Sequence, residues 1–136
     1  MRQRVDFTLQ QAQDYFKDDL FATEAAGVRI VEAEPGRAVC EMPLGPIHQN
    51  ARGGVMGGAL FTLADLAATV ADWNPGHGAV TVDTSFQFLA ATRGNTLTAT
   101  ATTTHDGRSM GFYHVDITDA SDTLVACGTY TMAHLQ

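Results

Sequence analysis

The stretch His48-Gln49-Asn50-Ala51-Arg52-Gly53-Gly54-Val55-Met56-Gly57-Gly58 is a polar loop that runs into paired glycines, and Asp65 follows two turns further on. Glycines at a helix start leave backbone N–H donors open to a developing negative charge. A carboxylate in an otherwise apolar helix is a candidate base or nucleophile. Together these residue types fit chemistry on an acyl group. Each has a plainer reading. The glycines permit a tight loop and close packing, Asp65 faces water, and Asn50 satisfies its own turn. Glycine inside a helix, however, costs about 0.5–1 kcal/mol against alanine, a cost that a ligand approaching the backbone would offset.

These residues need elements to position them. Residues 55–72 read as one long helix, with Val55, Leu60, Leu63, Leu66 and Val70 among apolar positions that cover most of its circumference. A helix this apolar is a buried one. Its polar residues, Thr62, Asp65, Thr69 and Asp72, fall on one narrow stripe, and Asn74-Pro75-Gly76 ends it. Residues 8–24 form an earlier helix, with Thr8 as cap and Gly27 past the end. Strands 28–34 and 37–43 make a hairpin across Pro35-Gly36. Strands follow at 79–89, 95–105, 110–118 and 123–133, with a turn at His105–Arg108. In the first of these, Val80, Val82, Phe86 and Phe88 point one way and Thr81, Asp83, Ser85 and Gln87 the other. The whole stretch 79–133 is expected to be an antiparallel meander. The expected architecture is α+β: about six antiparallel strands wrapped around a long central helix, in a single domain spanning 1–136. The outer sheet face is then solvated or covered by a partner chain.

Composition narrows the function. At 136 residues the chain suits one core, and 45% apolar residues is ordinary for a globular protein. No apolar run approaches the roughly 18 residues of a membrane span. The start, Met1-Arg-Gln-Arg-Val-Asp, lacks a signal core, so a cytoplasmic location and no membrane partner are expected. Cys40 and Cys127 are expected as buried, reduced thiols. A net charge of −7 with only 8 Lys plus Arg argues against nucleic acid as a partner, though a few local arginines can still grip a phosphorylated small molecule. His48, His77, His105, His114 and His134 show no metal-ligand spacing, so no metal site is expected. Neither a serine-hydrolase elbow nor a nucleotide-binding glycine fingerprint is expected.

The pattern His48-x-Asn50-x-x-Gly53-x-x-Met56-Gly57-Gly58, followed by Thr62-Leu63-Ala64-Asp65, resembles the hotdog-fold acyl-CoA thioesterases of the PaaI-like branch. Their usual motif is H-x-N-x-x-G-x-x-H-G-G, then L-A-D, and the resemblance covers nearly the whole chain. It implies a hotdog fold and hydrolysis of an acyl-CoA thioester, with coenzyme A as part of the substrate and no separate cofactor. It also implies roles. Asp65 is the catalytic carboxylate, as base or nucleophile. The Gly57 N–H polarises the thioester carbonyl, Asn50 places the carbonyl or the attacking water, and Thr81 orients water. His48 supports the loop, and Met56 and Gly58 flank the oxyanion site. Gly107, Arg108 and Ser109 lie where relatives contact the CoA nucleotide, with Arg93 and His134 as further candidates. One departure stands out: Met56 replaces the family's usual His, which puts an apolar group beside the oxyanion site.

Helix geometry adds a constraint. Gly57 and Asp65 are separated by roughly 12 Å along the axis at about 1.5 Å per residue, whereas reacting atoms meet at about 3–3.5 Å. If both act, a site joins Gly57 of one chain to Asp65 of another, and a two-fold pairing makes two equal sites. A homodimer at least is expected, and the resemblance implies a homotetramer. A small aromatic or medium-chain acyl-CoA is the expected substrate, with phenylacetate degradation as the setting. Two other functions are weighed. A hotdog hydratase or dehydratase pairs a His with the helix acid, and this helix has no His. A non-catalytic acyl-CoA-binding protein is supported only by Met56.

Overall fold

A computed structural model describes residues 2–135; Met1 and Gln136, the two ends of the expected 1–136 domain, lie outside the described residues. The elements are α1 (Leu9–Phe16), a π-helical turn (Phe21–Ala25), β1 (Arg29–Glu34), β2 (Arg37–Pro43), a 3-10 turn (Pro46–His48), α2 (Gly57–Asp72), β3 (Ala79–Phe88), β4 (Thr96–Asp106), β5 (Met110–Thr118) and β6 (Leu124–His134). The six strands form one antiparallel sheet in the order β1-β2-β4-β5-β6-β3, and α2 packs against every strand. This is the α+β architecture expected. The core forms where Leu60, Leu63, Leu66 and Val70 of α2 meet the inward positions of the sheet, Leu97, Ala99 and Ala101 on β4 and Val115 and Ile117 on β5. Small inward residues on β4 let the sheet close on the helix, and period-two alternation keeps Thr98, Thr100 and Thr102 out of that core.

The expected meander is wrong at one strand. Strands β4, β5 and β6 do form a meander, but β3 pairs with β6 at the far edge and β4 pairs with β2. Local pattern marks a strand without marking its neighbour. The alternation expected along β3 also fails. A bulge between Thr81 and Asp83 inserts Val82 as an extra residue. The parity therefore flips, and Thr81 shares the α2-facing side with Phe86 instead of opposing it. Gly128 on β6 makes room for Phe86, since a Cβ there would stand 2.5 Å from its ring.

The first helix is shorter than the expected 8–24. Thr8 caps it through a reciprocal capping box with Gln11, and it stops at Phe16. Asp18 and Asp19 follow, and carboxylates are unfavourable at a helix C-terminus. The chain then makes a separate π-helical turn at Phe21–Ala25. The long helix likewise begins at Gly57, not residue 55, because Val55 is held in a bridge with Gln49. Gly57 and Gly58 therefore occupy the first turn, where the interior glycine penalty does not apply in full. The turn between β4 and β5 is Gly107–Ser109, since His105 and Asp106 stay in β4. Cys40 is buried in β2, where burial pushes its thiol up to about 12. Cys127 is only half-buried, unlike the expectation, and neither cysteine is in a disulfide.

Residues 2–7 strap the far end of α2. The Arg2 guanidinium donates to the Asp72 backbone carbonyl and, at 3.0 Å, to Asp72 Oδ1. Arg4 donates to the Ala71 carbonyl at 2.6 Å. The cations sit where the last carbonyls of a helix lack partners. Trp73 closes the strap, with Phe7 at 4.7 Å and Tyr15 at 5.0 Å between ring centroids.

Candidate active site

Asp65 sits half-buried in the middle of α2, and the bulge in β3 brings Thr81 to it: the Thr81 hydroxyl lies 3.3 Å from Asp65 Oδ1 and 3.2 Å from Met132 Sδ. One hydroxyl proton serves one of these acceptors at a time. Burial pushes the Asp65 carboxyl above the ordinary aspartate range, the Thr81 hydrogen bond works against that shift, and the Asp19 charge adds to it. A cavity of about 470 Å³ opens beside the carboxylate, lined by Asp19, Leu20, Phe21, Phe61 and Leu66. The remaining polar residues of the helix stripe behave differently from one another. Thr62 and Thr69 turn their hydroxyls back onto the Gly58 and Asp65 carbonyls. Asp72 leaves the stripe and is buried, accepting from Arg2, from the Tyr113 hydroxyl at 2.5 Å and from His134 Nε2 at 2.8 Å.

Gly57 lies at the other end of the helix. It is the first residue of α2, and no side chain caps the helix there. Its N–H and that of Gly58 belong to the orphan donors of a helix start. A second cavity, of about 520 Å³, lies against Gly57 and is lined by His48, Gly54, Leu60, Phe88 and Asn95. A Cβ at Gly57 would stand 3.2 Å from the Phe88 ring, so glycine keeps the floor of this cavity open. His48 is buried and both its ring nitrogens are used. Nδ1 accepts from the Gly45 N–H at 3.0 Å, which leaves Nε2 to donate to the Ala26 carbonyl at 2.6 Å. It ties the loop to the π-helical turn. The Asn50 Oδ1 accepts from the Arg52 and Gly54 N–H groups, so its amide NH₂ is the part left for a ligand. Met56 is 51% exposed beside the helix start.

The other sequence candidates lie elsewhere. Arg108 and His134 share a third cavity, of about 540 Å³, with Arg2 and His77. Gly107 and Ser109 form the adjoining turn, and Arg93 sits on the β3–β4 connection with its N–H on Asp119. Gly107-Arg108-Ser109-Met110-Gly111 does have the G-x-S-x-G spacing that was not expected in this chain. It is a hairpin turn between two strands, whereas a nucleophile elbow joins a strand to a helix. His134 is no base for Ser109 either, because Nδ1 faces the Arg108 carbonyl and Nε2 faces Asp72. Asp72, Asp106 and His134 gather within metal-ligand distance of one another, which the scattered spacing did not reveal. The Arg2 and Arg4 guanidinium groups already pair with those carboxylates. Sequence reasoning also missed Asp19, which reaches Asp65 only through the fold.

Comparison with known proteins identifies the family. Residues 52–126 match the thioesterase superfamily model. The chain is 34% identical over 118 residues to the acyl-coenzyme A thioesterase PaaI of Escherichia coli (strain K12), covering 86% of this chain and 84% of that protein. It is 33% identical over 108 residues to the human acyl-coenzyme A thioesterase 13, covering 76% and 77%. The solved structure of the E. coli PaaI protein from the phenylacetic acid degradation operon superposes with a TM-score of 0.82 at 27% identity, over 95% of this chain and 97% of that one. The Haemophilus influenzae thioesterase HI1161 shares the fold, with a TM-score of 0.86 at 22% identity over 100% and 96%. The chain therefore belongs to the thioesterase superfamily, as a PaaI-like hotdog thioesterase that hydrolyses acyl-CoA thioesters.

Proposed function

We propose that this enzyme hydrolyses small aromatic or medium-chain acyl-CoAs at a site shared between two copies of the chain, with 1–136 acting as one domain. The observation that carries this reading is that Asp65 and Gly57 line separate cavities of one chain. Each is half a site, and a second copy brings the halves together. Strand β3 is the natural seam. It is paired only on its β6 side, and Val80 and Val82 on it are 47% and 50% exposed. A further pairing into a tetramer, a cytoplasmic location and a role in phenylacetate breakdown belong to the same reading, the last supported by the operon named for the PaaI relative.

The thioester carbonyl docks on the Gly57 N–H, with the Asn50 amide NH₂ as a second donor. Orphan donors at a helix start are aimed where the oxyanion develops. Asp65 of the partner copy takes a proton from water as the water oxygen attacks the carbonyl carbon. The tetrahedral intermediate then collapses with release of the CoA thiolate, and no cofactor enters the reaction. The raised proton affinity of Asp65 suits a base. Direct attack by the carboxylate is the other route open to the same residue. Arg108 lies near the CoA phosphates, whereas the buried His134 ring has both nitrogens engaged and offers them no donor, and Met56 supplies an apolar wall where relatives carry His.

The test is thiol release over a panel of aliphatic and aromatic acyl-CoAs, with wild type and Asp65→Asn side by side. Turnover of the variant falls by roughly 10²–10⁴-fold, the usual worth of an acid–base group. Undiminished turnover would remove Asp65 from the mechanism.

A further inference from the structure

Tyr130 on β6 is 1% exposed, yet its hydroxyl has no hydrogen-bond partner. A buried phenol ordinarily finds one. The other orphaned atoms among the described residues, Arg4 Nε and Asp72 Oδ2, lie in the ion network at the end of α2. Tyr130 lies in the shell around Asp65. Its ring packs on Phe61, one turn before Asp65 on α2, at 5.7 Å between centroids, and on Phe86 of β3 at 6.4 Å. Two residues along the same face of β6, Met132 touches the Thr81 hydroxyl that contacts Asp65. After burial, the Asp65 charge is what holds the Tyr130 phenol above the ordinary tyrosine range.

The groups facing Asp65 come from four elements. The segment after α1 supplies Asp19, whose own carboxyl burial and Asp18 push up. Strand β3 supplies Thr81 and β6 supplies Tyr130, while Thr62 and Thr69 of α2 do not titrate. Of these, only Thr81 and Tyr130 offer a donor, because both Thr62 and Thr69 hydroxyls are spent on the helix backbone. An acyl group that fills the cavity strips water from Asp65, and a carboxylate deprived of water needs donors from the protein.

We propose that Tyr130 is a positioning residue for the reaction: in the substrate complex its hydroxyl donates to the Asp65 carboxylate and, with Thr81, holds it toward the attacking water. This rests on Asp65 acting in hydrolysis. It explains why a hydroxyl is buried without a partner in the free protein, at a position where phenylalanine would pack as well.

The test is Tyr130→Phe, assayed across pH beside Asp65→Asn. The variant's kcat falls about tenfold, the size of one hydrogen bond, with KM within about twofold of wild type. A lost donor to the charged carboxylate raises its pKa, so the acidic limb of kcat moves to higher pH. The limb of kcat/KM, which reports the free enzyme, stays in place. The thermal midpoint does not fall, because the ring packing is kept and only an unpaired hydroxyl is removed. An unchanged kcat with an unmoved profile, a loss confined to KM, or a fall in midpoint alongside activity would each overturn the proposal. If Asp65→Asn is inactive while Tyr130→Phe matches wild type, only the Tyr130 role is lost. If Asp65→Asn is fully active, both readings are.

Discussion

At the scale of a residue, the base proposed at Asp65 comes at a cost in stability. Its carboxyl binds a proton more tightly in the folded protein than in the unfolded chain, because burial raises its pKa. As pH rises past the ordinary aspartate value, near 4, the unfolded chain ionises first and folding stability falls. The decline ends once pH passes the raised folded value. Asparagine keeps the acceptor for Thr81 and carries no charge. Asp65→Asn should therefore unfold at a higher denaturant midpoint than wild type at neutral pH, and the advantage should vanish in acid below both values. Equal midpoints at pH 7 would mean that the carboxylate is not strained. The same shift places the acidic limb of kcat/KM above the ordinary aspartate range, which a pH–rate profile reads directly. Met56 is exposed and caps nothing, so its effect falls on the ligand side of the site and not on folding.

At the scale of an element, the N-terminus of α2 is the proposed oxyanion device, and its backbone donor can be deleted by a side-chain change. Proline lacks the N–H and is well tolerated at the first helical position. Met56 already has the extended backbone, φ −64° and ψ 134°, that a residue before proline requires. Gly57→Pro should thus keep α2 and the oligomer while lowering kcat by about 10²–10³-fold relative to Gly57→Ala, which sets the same Cβ against the Phe88 ring but keeps the N–H, the difference being the worth of one oxyanion donor. Circular dichroism checks the helix and thiol release checks the rate. Near-wild-type turnover would show that the carbonyl docks elsewhere. The other decisive element is the bulge in β3. Without the extra residue at Val82, Thr81 would point away from Asp65.

At the scale of the whole molecule, the proposed shared site predicts complementation. Asp65→Asn and Gly57→Pro are each nearly inactive as homodimers. In a mixed dimer one site collects both defects and the other has neither. Co-expressed and purified through distinct tags, the heterodimer should recover about half of the wild-type activity, since one of two equal sites is intact. No recovery in a confirmed heterodimer would place both groups in one chain's site, or neither in any. With −7 on each copy, long-range charge opposes association. The proposed seam would therefore rest on strand pairing and apolar contact along Val80 and Val82, and Val82→Asp should yield monomers on gel filtration with little thiol release.

Much of this was readable in the chain. The chain's pattern placed β4 and β5 as strands, the Pro35-Gly36 turn placed the first hairpin, and the apolar run placed α2. The loop, glycines and acid of residues 48–65 marked the proposed site. These signals are local: they depend on what a few neighbouring residues can do with their own backbone. What tertiary structure decided was pairing at a distance. Strand β3 joins β6 instead of β4, because sheet order depends on how the strands close around α2. Thr81 reaches Asp65 because one inserted residue flips parity. Asp72 leaves its polar stripe because Arg2, Tyr113 and His134, far apart in sequence, converge on it. Asp19 and Tyr130 come near the proposed catalytic carboxylate for the same reason. A single chain's periodicity records which face a side chain takes, and only packing records what that face meets.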